Sequence, residues 1–145
     1  MKSPLRTEAG PLVYGRVNKR EAAVLQFSKQ VQAVTWDYAV DGGAIDPNGI
    51  GFGVKLPAGA IVTGITVDKE SAVTGATSAV LNAGSTALTA TLNLVLIANT
   101  SHISTLAGSA TAIKLASASE LKLVISSSAG TAGKVTFYVE YLEKA

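Results

Sequence analysis

The sequence contains no cysteine and a single histidine. Disulfides, thiolate zinc sites and cysteine nucleophiles are therefore excluded. One imidazole cannot build a histidine metal cluster, and it leaves a Ser-His-Asp relay a single place to form. Charge is also scarce: 15% of residues are charged, against about 25% in typical soluble domains. Long apolar runs are missing, the longest aliphatic stretch being Leu94-Val95-Leu96-Ile97-Ala98, far short of the roughly 18–20 residues of a membrane span. The net charge of +2 is too small for broad electrostatic binding of nucleic acid. Neither a nucleic-acid nor a membrane partner is expected.

Small residues fill the space left by charge and aromatics. Gly, Ala, Ser and Thr together make 64 of the 145 positions, yet 48% of residues are hydrophobic, enough for a single-domain core. The start of the chain, MKSPLRTEAGPLVYGRVNKR, has charges and prolines where a signal peptide needs an apolar segment. Synthesis in a cytoplasm without export is the expectation.

Charge divides the chain twice. Residues 1–20 carry Lys2, Arg6, Arg16, Lys19 and Arg20 against Glu8, a net of +4, while the remainder carries −2. Pro4, Gly10, Pro11 and Gly15 oppose a regular helix there, so 1–20 reads as an extended basic arm ahead of a domain spanning 21–145. From Ser71 to Ile113 no residue is charged if His102 is neutral, a run of 43 positions. Such a segment suits either protein contact, because uncharged groups are cheaper to desolvate, or buried strands joined by Ser/Gly turns.

Alternation with a period of two dominates the rest. Ala60–Asp68 places Ile61, Thr63, Ile65 and Val67 on one face, and Lys134–Tyr141 places Val135, Phe137, Val139 and Tyr141 inward. Leu121–Ile125 and Leu92–Leu96 share the pattern, with further strands expected at Ala23–Phe27, Val31–Val40, Gly53–Leu56 and Ala79–Leu81. Turn material separates them: Asp41-Gly42-Gly43, Asp46-Pro47-Asn48-Gly49, Leu56-Pro57-Ala58-Gly59 and Ser126–Gly133. Helix is admitted only at Ser101–Ala107 and, ambiguously, at Glu21–Lys29. About eight strands at this spacing predict an all-β chain, a single antiparallel β-sandwich or jelly-roll-like domain.

No catalytic constellation assembles. Asp37, Asp41 and Asp46 lie close in sequence, but their spacing does not match a calcium loop, and Asp beside Gly or Pro is ordinary turn and cap chemistry. Trp36, Tyr38, Asp41 and Asp46 together could form a sugar-stacking ligand face, although one tryptophan in a strand more commonly belongs to a core or interface. His102 has no Gly-x-Ser-x-Gly elbow beside it and no acid between 71 and 113 to orient it. Gly49-Ile50-Gly51-Phe52-Gly53 lacks the Gly-Lys-Ser/Thr ending of a phosphate loop, so its glycines point to a bulge or a close backbone approach. No metal, no cofactor and no enzymatic activity are expected.

The stretch Leu56-Pro57-Ala58-Gly59-Ala60-Ile61-Val62-Thr63-Gly64-Ile65, with Thr131-Ala132-Gly133-Lys134-Val135-Thr136-Phe137-Tyr138-Val139-Glu140-Tyr141 far downstream, resembles small structural proteins of tailed-bacteriophage virions. In particular it is similar to capsid decoration (cement) proteins with jelly-roll-like sandwiches. The resemblance implies a non-enzymatic virion protein on the capsid surface, often a homotrimer, that reinforces contacts between major capsid subunits. On that reading Arg6, Tyr14, Arg16 and Arg20 of the arm contact the major capsid protein, and the 71–113 region supplies the contact with its own copies. The alternative is a receptor- or carbohydrate-binding domain of a phage head or tail fibre, using the Trp36, Tyr38, Asp41 and Asp46 face.

Overall fold

The computed structural model describes residues 27–144, of which Lys29–Glu143 close into one compact unit. The Ala23–Phe27 strand, the Glu21–Lys29 helix and the basic arm fall wholly or largely outside the described residues.

Nine strands are described: β1 (Phe27–Asp37), β2 (Ile50–Leu56), β3 (Ile61–Thr74), β4 (Ser78–Ala83), β5 (Thr86–Ala87), β6 (Thr100–Ile103), β7 (Ile113–Lys114), β8 (Ser119–Ser126) and β9 (Ala132–Lys144). One helical turn, α1 (Tyr38–Asp41), follows β1, and a 3-10 turn covers Ala107–Ser109. The strands form two sheets, ordered β1-β9-β3-β6 and β2-β8-β4-β5, with β7 pairing to β3 beyond β6. Strands β1 to β4 alternate between the sheets, and β8 and β9 return to pair between the early strands. The all-β sandwich expected from the pattern is the fold observed.

The two inner faces meet in one core. Trp36, Ile65, Val67, Phe137 and Val139 come from the first sheet, and Leu56, Leu81, Leu121, Leu123 and Ile125 from the second. Burying each such side chain is worth about 1.5–3 kcal/mol against exposure, so these period-two stripes hold the sheets together. The β8 and β9 patterns agree with the sequence at every inward position.

The other strands correct it. In β3, Val62 pairs with Tyr141 and Gly64 with Glu140, two steps against one, so Thr63 is an extra, bulged residue. The bulge reverses the phase: Val62 is buried before it and Ile65 and Val67 after it, while Ile61 and Thr63 are only partly covered. Leu92–Leu96 is not a strand. The Asn93 side chain accepts from the Val95 amide at 3.1 Å, and its carbonyl accepts from Leu96 and Ile97, both at 3.1 Å. That Asx-type turn leaves a single bridge, Leu92 to Ala79. Ser101–Ala107 begins as strand β6, not helix, because Thr100–Ile103 pairs with Ile65–Asp68. The Val31–Val40 strand stops at Asp37, whose side chain caps α1 by accepting from the Ala39 amide at 3.0 Å.

Candidate functional site

Trp36, Asp37, Tyr38 and Asp41, singled out in the sequence, lie at one end of the sandwich. Four segments are stitched there by backbone hydrogen bonds. Gly130 donates to Gly43 at 2.8 Å, Ala76 to Ser128 at 3.1 Å and Leu94 to Ala76 at 3.4 Å. The loop after α1, the β3–β4 and β8–β9 connections and the Asn93 turn thus form a single surface.

Trp36 lies beneath it, wholly buried. Its indole Nε1 donates to the Gly42 carbonyl at 2.7 Å, and its ring lies so close to Gly130 that a Cβ there would stand 2.9 Å away. The tryptophan therefore offers no face for a sugar to stack on; it anchors the loop above it. Tyr38 is exposed on α1. The carboxylates serve the backbone: Asp37 caps α1, Asp41 accepts from the Asp37 amide at 3.0 Å, and Asp46 accepts from the Asn48 amide at 2.8 Å. Among the described residues no group of three or more His, Cys, Asp or Glu could hold a metal ion. Arg6, Tyr14, Arg16 and Arg20 lie outside the described residues.

His102 is exposed on β6, its Nδ1 3.3 Å from the Thr66 hydroxyl. On the outer face of the first sheet, buried Thr136 meets the Thr35 hydroxyl at 2.9 Å and donates to the Glu70 carboxylate, which also stands 3.5 Å from Lys134. The Thr136 hydrogen bond dominates and lowers the Glu70 pKa; desolvation opposes it, and the Lys134 charge adds to the lowering. The outer face of the second sheet carries a recess of about 320 Å³ lined by Asn48, Asn82, Ser85 and Lys122. The glycine-rich stretch is a bulge, as its composition implied. Four steps along β2, from Gly51 to Lys55, span what two steps along β8, from Lys122 to Glu120, do, with Gly53 at φ +72°.

The uncharged 71–113 stretch is partly core and partly surface. Val73, Ala79, Leu81, Ala83, Leu88, Leu94 and Leu106 enter the core, whereas Val95 and Leu96 project outward. What sequence reasoning missed is the exposure of Val40, Ile45, Val95 and Leu96. Asp37 as a helix cap and Asn93 as a turn former were the available signals, hidden by apolar runs that read as strand.

No protein-family model matches the chain, and no curated protein matches it in sequence. Among solved structures, it superposes on a chain of the acidic stable capsid structure of Helicobacter pylori bacteriophage KHP30 with a TM-score of 0.53. The match has 12% sequence identity and covers 83% of this chain and 94% of that chain. The two chains share a fold.

Proposed function

We propose that the chain is a non-enzymatic structural protein of a bacteriophage virion, bound as a homotrimer to the outside of the capsid, where it strengthens contacts between major capsid subunits. The observation that carries this reading is the fold shared with a phage capsid chain over 94% of that chain's length. Strand order supports it: the alternation β1-β9-β3-β6 and β2-β8-β4-β5 fits a jelly roll, an architecture that recurs in viral capsids.

The mechanism is linkage. A protein that binds only the assembled lattice adds its binding free energy to the stability of that lattice, and a trimer multiplies modest contacts through effective concentration. The basic arm, with Arg6, Tyr14, Arg16 and Arg20, is the proposed grip on the major capsid protein. The proposed contact between copies draws on the 71–113 region.

Co-sedimentation with phage heads that lack the protein tests the reading. Saturable binding at a fixed copy number per head is the expected result. A folded, oligomeric protein that stays in the supernatant would overturn it and favour a fibre or tail component.

A further inference from the structure

Two exposed apolar patches occupy opposite edges of the same end of the sandwich. A transverse row of the first sheet locates them. Thr35 of β1 is bonded to Thr136 of β9, Thr136 is registered with Asp68 of β3, and Asp68 with Thr100 of β6. At about 4.8 Å per strand this row is roughly 15 Å wide. α1 begins three residues after Thr35, at the β1 edge, and the Asn93 turn ends three residues before Thr100, at the β6 edge.

The first patch is Tyr38, Val40 and Ile45, with Val40 80% exposed. It is presented rigidly, on a capped turn whose following loop is held by Trp36 and Gly130. Its charged neighbours are Asp41 and Asp46, and the sequence has no lysine or arginine between Lys29 and Lys55. The second patch is Val95 and Leu96, with Leu96 79% exposed on the Asn93 turn. Its charged neighbour is Lys69, whose ammonium donates to the Val95 carbonyl at 2.9 Å. Asp68 and Glu70 alternate away from Lys69 along β3, where Asp68 meets Thr100 and Glu70 meets Lys134. Fixing large apolar side chains in water on an ordered turn brings no folding gain, so both patches fit a protein contact.

From the opposite signs and the opposite edges we infer that the Tyr38–Val40–Ile45 patch of one copy docks on the Val95–Leu96 patch of the next. The carboxylates Asp41 and Asp46 then face Lys69 across the contact. Two unlike patches make a head-to-tail interface, and such an interface closes into a ring when its rotation divides the circle. This inference rests on the oligomer proposed above and names its contact; the second patch lies inside the 71–113 region and the first lies outside it.

The test uses the full chain with Val40→Asp and Leu96→Asp, whose side chains are almost wholly in water, so each variant should melt like the parent. Light scattering should show the parent as a ring and each variant associating at least about tenfold more weakly. A 1:1 mixture of the two variants should form a heterodimer, since each partner keeps the patch the other lacks. Either variant keeping the parent mass, a monomeric parent, or a mixture that stays monomeric overturns the inference. Co-sedimentation separates it from the capsid reading. Parent protein that binds heads while both variants keep its mass sinks this contact alone. Monomeric variants with a parent that never binds heads sink the capsid reading alone.

Discussion

Trp36 was legible as a core or interface residue from its place in an alternating strand, but its partners were not. The glycine at 130 that makes room for the ring is nearly a hundred positions away, and no local pattern links them. That pairing has a measurable consequence. Trp36→Phe removes the hydrogen bond to Gly42 and part of the ring that fills the space against Gly130. A loss of about 1–3 kcal/mol is expected, read as a lower urea midpoint with an unchanged slope. Glu70 makes a second residue-scale prediction. Its pKa lies below the ordinary glutamate value of 4.5, so the folded state holds the ionised form more firmly than the unfolded chain does. The stabilisation is therefore present above about pH 4.5 and is lost as pH falls through the lower, folded-state value. Thr136→Val removes the chief cause of the shift. The variant should lose less stability than the parent between pH 5 and pH 3, a difference visible in urea midpoints across that interval.

Strand β2 is an edge of its sheet, and edges invite pairing with other chains. Here the edge is broken by the bulge at Gly53, whose amide donates to Glu120 Oε2 at 2.9 Å from the neighbouring β8. Glu120→Ala should leave that amide to water and raise its hydrogen-exchange rate about tenfold, while exchange in β9 stays unchanged. The bulge also marks how far pattern can be read. In β8 and β9 the apolar positions that alternation assigned to the core are all buried, because neither strand changes phase where its core residues lie. In β3 the glycine at 64 hinted at an irregularity, but one inserted residue, Thr63, was enough to turn Ile61 away and bring Val62 in. Leu92–Leu96 had the composition of a strand and failed because the Asn93 side chain offers the backbone a closer hydrogen-bond partner than any neighbouring strand.

Over the whole molecule the legible part of the candidate site was its chemistry, and the illegible part its placement. A run without charge could be seen to suit burial or contact, yet which of its residues did which depended on turns and strand order. The basic arm was legible only as charge, and charge sets what its removal should do. If Arg6, Arg16 and Arg20 grip the capsid, their attraction is screened over roughly 8–10 Å at ordinary salt. Binding to heads should then weaken steadily between low and high ionic strength. Arg6→Glu, Arg16→Glu and Arg20→Glu together should abolish sedimentation with heads at moderate salt while the melting of the 29–143 sandwich is unchanged. Because the arm is net positive and the rest of the chain net negative, the triple variant also removes the one strongly basic segment of the sequence. Undiminished binding by that variant, with the same salt dependence as the parent, would take the arm out of the capsid contact and leave the folded domain to make it.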